Sequence, residues 1–232
     1  MQKIQHYYHA FVTHLRHFDG IPALLIRLYL APIFIMAGFS KTQLLNDEVT
    51  GLASLMADPN IVAWFGNSDW GLGLPFPALL ANLVILVEFF GGWLLLVGAL
   101  TRLISIPLMF TMIVAATTVH ADNGWFAITP TNSDISAAKV ASWLGFEQAE
   151  LSLKNSDETA LRLAKMRELL EKNGNTDWLY EKGNIVVLNN GIEFSTTYFI
   201  MLLALFFIGA GRYTSIDHFI AQRYLVRHNR FS

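Results

Sequence analysis

Cysteine is absent from this 232-residue chain, and charged residues make up only 15% of it. Without thiols the protein forms no disulfides, and the absence excludes thiolate redox chemistry, thiolate-bound clusters and haem attached through a Cys-x-x-Cys-His motif. Any redox chemistry therefore requires a bound cofactor. The net charge of −2 excludes the strongly basic surface that is typical of nucleic-acid binding.

Long apolar runs are abundant instead, because 53% of the residues are hydrophobic and they are grouped in blocks. A helix needs roughly 17 to 25 apolar residues to cross a hydrocarbon core about 30 Å thick. Four runs meet this requirement, and they cover residues 21–39, 78–100, 103–119 and 194–211. The sequence therefore predicts an all-α membrane protein built as a four-transmembrane-helix bundle, with both termini on one side.

The distribution of basic residues predicts which side that is. Arg16 precedes the first run, Arg102 lies in the tight turn between the second and third, and Arg212, Arg223 and Arg230 follow the fourth. Short loops rich in Lys and Arg stay on the cytoplasmic side of a membrane. We therefore expect a multi-pass protein of the bacterial inner membrane with both termini in the cytoplasm.

The remaining segments complete the predicted domain organisation. Both ends alternate apolar and polar residues at helical spacing, which is typical of amphipathic helices on a membrane surface. The long outer segment predicts a small α+β periplasmic insert, with a helix over 156–172 and a hairpin that joins 178–180 to 185–188. The predicted divisions are an amphipathic helix (1–20), transmembrane helices 1–3 (21–120), the periplasmic insert (121–192), transmembrane helix 4 (193–212) and an amphipathic tail (213–232).

Charged residues inside the spans require a partner or a purpose, because each costs about 2.5 to 3.5 kcal/mol at the centre of a membrane. Glu88 lies near the middle of the second span, and Arg27 lies about two turns inside the first. We expect a buried Arg27–Glu88 pair. Such a pair either fixes the packing of the helices or forms a catalytic or cofactor site that uses both residues.

Polar and aromatic residues also collect at the predicted outer ends of the spans. Lys41 follows the first span, His120, Asp122 and Trp125 follow the third, and Glu193 begins the fourth. If they converge, they form a cofactor-binding rim for a quinone headgroup, a peptide or a metal, with His120 as the candidate copper ligand. The alternative is ordinary capping of helices at the interface.

Several short motifs resemble the DoxX family of membrane proteins. The first span carries Arg27 and ends in Gly-Phe-Ser-Lys41, and the second carries Glu88-Phe-Phe-Gly-Gly before a Thr-Arg turn. The last span ends in Gly-Ala-Gly-Arg followed by Ser-Ile-Asp. Within these motifs the family-like positions after Arg27, Lys41 and Glu88 are Gly91, Gly92, Arg102, Gly209, Arg212 and Asp217. Glycines within spans let a neighbouring helix approach closely, so we read Gly91 and Gly92 as packing residues.

The segments 119–126 and 188–194, together with the long insert, resemble the HvfX branch of DoxX proteins. That branch is associated with the maturation of copper-binding peptides, and other DoxX relatives are linked to quinone-dependent oxidation. The resemblance implies a redox or accessory subunit. As an enzyme, it would be a subunit of a membrane oxidoreductase with quinone or copper as the cofactor. A periplasmic peptide or protein partner and a homo-oligomer are also consistent with it.

Two hypotheses remain from the sequence. In the first, the protein works through a quinone-like ligand between its spans, in copper-peptide maturation or envelope stress. In the alternative, it is a non-enzymatic scaffold or a small-transporter-like protein whose periplasmic insert binds a partner. The first depends on Glu88, and the second depends on the insert.

Overall fold

The computed structural model describes residues 2–15 and 18–228, and Arg16 and Arg230 lie outside the described residues. Helices dominate these ranges. They are α1 (Gln2–Leu15), α2 (Gly20–Phe39), α3 (Pro59–Gly66), α4 (Pro77–Val97), α5 (Thr101–Asn123), α6 (Ala138–Trp143), α7 (Glu147–Asn173), α8 (Thr176–Leu179), α9 (Glu193–Ile208) and α10 (Ile216–His228). Short 3₁₀ turns occupy Gly51–Leu55 and Ser133–Ile135.

Three helices, α2, α4 and α5, are long and apolar enough to cross a membrane, with 20, 21 and 23 residues. The chain is therefore a membrane protein whose helices contact lipid. The fourth predicted span is shorter than expected. Helix α9 is apolar but has 16 residues, because Gly209 adopts a left-handed φ of +77° and ends it. The complete four-helix bundle stays a prediction.

Local sequence sets the ends of α4. Pro77 occupies the first turn of the helix, where its missing N–H is not needed. Gly98 follows the last turn with a φ of +65°, and its N–H donates to the Leu95 carbonyl at 3.1 Å. This left-handed glycine ends the helix and allows the chain to turn into α5 within four residues.

The chain divides into two compact units, one of residues 1–113 with 197–232 and the other of residues 114–196. The core of the first unit draws apolar side chains from α2, α4, α5 and α9. Its buried members include Leu30, Phe34, Leu95, Leu108, Met112, Leu202 and Leu205. Four helices thus share one core, although α9 is short for a membrane crossing.

Helices α2 and α4 approach each other through glycines. A methyl group on Gly92 would lie 2.8 Å from the backbone nitrogen of Ile35, and one on Gly38 would lie 2.7 Å from the Cα of Phe89. Gly91 lies beside Ile104 of α5 in the same way, at 3.0 Å. Both glycines therefore lie where an added side chain would meet a neighbouring helix, as is expected of packing residues.

The second unit is helical, and its predicted hairpin does not form. Within the described residues 114–196 no strand occurs, and residues 176–179 are helical because the Asn175 side chain accepts from the Trp178 N–H at 3.3 Å. Residues 187 and 188 pair with 128 and 129 instead. The expected helix over 156–172 extends to Glu147, and Ser156 is buried within it.

The glycine contact between α2 and α4 generates a prediction. Gly38→Ala places a methyl group against the backbone of Phe89, which cannot move as a side chain would. We expect it to lower the free energy of unfolding by about 3 kcal/mol, as overpacking does. Thermal unfolding in detergent, followed by circular dichroism, measures the change.

Gly51→Ala is the matched control, because it adds the same methyl group where no atom lies within 4 Å. Because Gly51 has a φ of +70°, alanine there is strained, and we expect the free energy of unfolding to fall by only about 1 to 2 kcal/mol. Equal melting temperatures for the two variants would contradict the proposed close packing.

Candidate functional site

The clearest polar feature inside the first unit is an ion pair between Lys41 and Glu88. The Lys41 Nζ lies 2.6 Å from the Glu88 Oε2 and also donates to the Ala37 carbonyl at 2.9 Å. The Glu88 side chain is 8% exposed, and that of Lys41 is 22% exposed. The carboxylate is thus enclosed, while its partner reaches the surface of the unit.

Helix geometry brings these two residues to one level. Gly38 lies against the backbone of Phe89, so the last turn of α2 is beside residue 88 of α4. Lys41 follows Gly38 by three residues and reaches across from the end of α2. The segment Leu86–Phe90 forms a π-type turn within α4, a distortion that is frequent at functional sites.

Arg27 does not pair with Glu88, so that prediction is wrong. The fully buried guanidinium donates to five backbone carbonyls, at distances from 2.7 to 3.4 Å. Two of these carbonyls, from Leu95 and Leu96, lie at the end of α4. Leu95 follows Glu88 by seven residues, which is about 10 Å of helix, so Arg27 lies too far along α4 to reach the carboxylate.

The Arg27 site accounts for every N–H of the guanidinium. The other three carbonyls belong to Ala210, Tyr213 and Thr214, in the segment between α9 and α10. Unpaired carbonyls at a helix C-terminus favour a cation. Gly98 is required here because a Cβ on it would lie 2.8 Å from the guanidinium carbon. Arg27 therefore holds two chain segments together, and no described feature gives it a catalytic role.

Asp217 holds the other side of the same turn. Its carboxylate accepts from the backbone N–H groups of Leu100 at 2.7 Å and Thr101 at 2.9 Å, which caps the start of α5. The Asp217 N–H donates to the Gly98 carbonyl at 2.9 Å. Residues 95–101 are thus fixed by a cation at the end of one helix and an anion at the start of the next.

Two arginines of the predicted motif make further contacts, one to the last turn of α9 and one from the segment that follows α9. Arg102 donates to the Phe206 carbonyl at 3.2 Å, and its Nε lies 3.1 Å from where a Cβ on Gly209 would be. Arg212 donates to the Asp19 carboxylate at 2.6 and 2.9 Å. The motif residues therefore join the start of α2, the turn before α5 and the end of α9.

The predicted outer rim divides between the units. Lys41 belongs to the first unit, and His120, Asp122, Trp125 and Glu193 belong to the second. Within the second unit, the Glu193 carboxylate accepts from the Ala127 N–H at 2.9 Å, and the Glu193 N–H donates to the Trp125 carbonyl at 2.9 Å. The His120 Nδ1 lies 2.9 Å from the Asn190 carbonyl.

These contacts pair two irregular segments, 123–129 and 187–193. Asn189 donates its side-chain amide to the carbonyls of Asn123 and Phe126. Gly191 approaches so closely that a Cβ on it would lie 2.6 Å from the Phe126 oxygen. Asn189 and Gly191 were not among the residues predicted from the sequence, although Asn-Asn-Gly before a helix is a recognisable turn signal. His120, Trp125 and Glu193 thus contribute contacts that join these two segments, and a cofactor-binding rim stays a prediction.

Metal binding finds no support in the described part of the chain. No group of three or more His, Asp or Glu side chains there is placed to hold an ion. His120 uses one ring nitrogen for the Asn190 contact, and Asp122 is exposed. Copper ligation by His120 would require donors from outside this unit's described contacts.

The comparisons agree with the motif geometry. Residues 23–121 match the model of the DoxX family. The match covers less than half of the chain, and it contains Arg27, Lys41, Glu88, Gly91, Gly92, Arg102 and His120. No curated protein and no solved structure matches the chain. The matched residues therefore include the Lys41–Glu88 pair, whereas most of the second unit lies outside the match.

The Arg27 geometry predicts a large stability effect from a conservative change. Arg27→Lys leaves three N–H donors for five carbonyls, so at least two lose their side-chain donor, and of the five the Leu95 carbonyl keeps another described partner, the Gly98 N–H. Each unsatisfied buried group costs about 1 to 3 kcal/mol. We expect the variant to be destabilised by about 2 to 5 kcal/mol in thermal unfolding, whereas Arg223→Lys, at an exposed position of α10, unfolds as the parent does. An unchanged melting temperature for Arg27→Lys would disprove the structural role.

Proposed function

We propose that this chain is a DoxX-type protein of the bacterial inner membrane that binds a quinone-like ligand at the Lys41–Glu88 pair. In this proposal it acts as a redox or accessory subunit in copper-peptide maturation or envelope stress, with both termini in the cytoplasm. The observation that carries the proposal is the ion pair itself, a charged donor and acceptor 2.6 Å apart among apolar helices.

The chemistry of the pair suits a quinone headgroup. Lys41 uses its ammonium group for two described contacts, so one N–H is left to donate to a ligand carbonyl. Glu88 has one described partner, which binds Oε2, so Oε1 is left to accept from a hydroxyl. A quinone offers carbonyls and its reduced form offers hydroxyls, so the pair accommodates both states. Transfer of protons to and from such a ligand requires a titratable group at this position.

Enclosure by apolar side chains also supports a membrane-soluble ligand. Lys41 is the more exposed partner, so a ligand would approach from its side and meet the carboxylate behind it. The DoxX match contains both residues. The narrower assignment to the HvfX branch, and with it the copper-peptide pathway, depends on the resemblance of segments 119–126 and 188–194.

A double variant tests the site without unfolding it. Removing one partner of a buried ion pair leaves an uncompensated charge and costs about 3 to 5 kcal/mol, whereas replacing both is close to neutral. We therefore expect Lys41→Met/Glu88→Gln to melt near the parent temperature but to lose at least about ten-fold of its co-purifying quinone, since one ten-fold step corresponds to 1.4 kcal/mol of binding free energy. Quinone extracted from protein in mild detergent is quantified by mass spectrometry.

Lys165→Met/Glu168→Gln is the matched control, because it removes an exposed pair of 2.7 Å from helix α7. The control retains the quinone content of the parent. Parent protein that carries no quinone, or a double variant that carries as much as the parent, would refute the ligand assignment.

The alternative function, a scaffold that binds a periplasmic partner, is favoured by a different observation. The segment 135–146 of the second unit exposes large apolar side chains, and Trp143 is 73% exposed. Its members are Ile135, Val140, Trp143, Leu144 and Phe146. Exposed apolar surface of this kind marks interaction sites.

The two proposed functions predict opposite results for variants of the second unit and variants of the ion pair. If the protein is a scaffold, Trp143→Ser/Phe146→Ser and deletion of 131–188 abolish the copper tolerance that the parent gene restores to a strain lacking it, while Lys41→Met/Glu88→Gln is tolerated. Chemistry at the ion pair predicts the reverse. Trp178→Ser is the control, because Trp178 is similarly exposed at 70% but lies outside the segment. Loss of tolerance in that control would remove the assignment to 135–146.

A further inference from the structure

An open groove of about 880 Å³ lies beside Arg102 in the first unit. Its walls come from the starts of α2 and α5, the end of α9 and the first turns of α10. Its lining includes Asp19, Arg102, Leu103, Ile208, Arg212 and Asp217. We propose that this groove binds the phosphate of an anionic membrane phospholipid through Arg102. The proposal is independent of the quinone site, because it uses neither Lys41 nor Glu88.

The charges that line the groove leave Arg102 without an anion. The Asp19 carboxylate is paired with Arg212 at 2.6 Å, and the Asp217 carboxylate accepts from two backbone N–H groups at 2.7 and 2.9 Å. Arg102 makes one described hydrogen bond, to a carbonyl, and forms no ion pair with any described residue. An exposed guanidinium with unused N–H groups is complementary to a phosphate, which it binds through two parallel hydrogen bonds.

The position of Arg102 along the chain indicates the source of that phosphate. It is the second residue of α5, which is long and apolar enough to cross a membrane. Arginines at the end of a span lie at the level of the lipid headgroups. Leu103 and Ile208 are exposed apolar walls of the same groove, and they are suited to the start of an acyl chain. A lipid satisfies both the cation and the apolar walls, whereas a free phosphate satisfies only the cation.

The local backbone holds the guanidinium in place. Gly209 has a φ of +77°, and a Cβ there would lie 3.1 Å from the Arg102 Nε and 3.3 Å from its Nη2. The absence of a side chain at 209 therefore allows Arg102 to lie over the backbone at the end of α9, with its remaining N–H groups available to the groove.

Native mass spectrometry of the full chain tests the proposal. Protein is released from mixed micelles that contain equal amounts of phosphatidylglycerol and phosphatidylcholine, and the bound lipids are counted. The parent is expected to retain phosphatidylglycerol preferentially. Arg102→Gln is expected to weaken that retention about ten-fold, the size expected for the loss of one hydrogen bond between a charged donor and a phosphate. Arg102→Lys keeps the charge but not the paired hydrogen bonds, so it falls between the two.

Arg223→Gln is the matched control, because it removes an exposed arginine of α10 that does not line the groove. It is expected to retain phosphatidylglycerol within two-fold of the parent, because an exposed charge that does not contact the phosphate is screened by solvent and salt. Equal losses in Arg102→Gln and Arg223→Gln would overturn the proposal, because retention would then reflect general surface charge. Two results with the parent protein alone would also overturn the proposal. One is equal retention of phosphatidylglycerol and phosphatidylcholine, and the other is full displacement of the lipid by millimolar inorganic phosphate.

Discussion

The five hydrogen bonds from Arg27 to backbone carbonyls are the interaction on which the first unit depends. They join three segments that are distant in sequence, namely α2, the end of α4 and residues 210–214. A buried cation is costly unless it is fully paired, and here the partial negative charge of carbonyls at a helix end replaces a carboxylate. Asp217 completes the arrangement by capping the next helix, so the turn at 95–101 has a counter-charge on each side.

Local features of the fold were predictable because they depend on short-range chemistry. The apolar runs predicted the three long helices, and Pro77 and Gly98 mark the two ends of α4. The hairpin was not predictable in the same way. Residues 185–188 do have strand-like composition, but their partners at 128–129 lie about 60 residues away, and composition does not encode that pairing. The capping by Asn175 then decided the local conformation.

One residue of the candidate ion pair, Glu88, was predictable from the sequence, but its partner Lys41 was not. Hydropathy singles out Glu88 because a carboxylate among apolar residues requires a partner. The choice of partner depends on which residues lie at the same level of two packed helices, and that level is set by the contact between Gly38 and Phe89. Arg27 and Lys41 are both cations on or beside α2, and they are about 20 Å apart along a helix with a rise of 1.5 Å per residue. Sequence spacing alone does not choose between them.

The two cations Arg27 and Lys41 therefore have different capacities for chemistry, because the first is fully buried and the second is 22% exposed. Arg27 has a rigid fork, every N–H of which is occupied, so a ligand can bind it only by breaking the fold. Lys41 has a flexible side chain and one N–H without a described partner. The Glu88 carboxylate that it binds has a second oxygen, Oε1, that also has no described partner. The opposite charges of Lys41 and Glu88 neutralise each other, which lowers the cost of enclosing the carboxylate among apolar helices. The remaining Lys41 N–H and the Glu88 Oε1 are still available to bind a ligand. Because the Arg27 contacts hold the turn at 95–101 and the available polar groups belong to Lys41 and Glu88, exchange of the proposed ligand at the pair would leave that turn undisturbed.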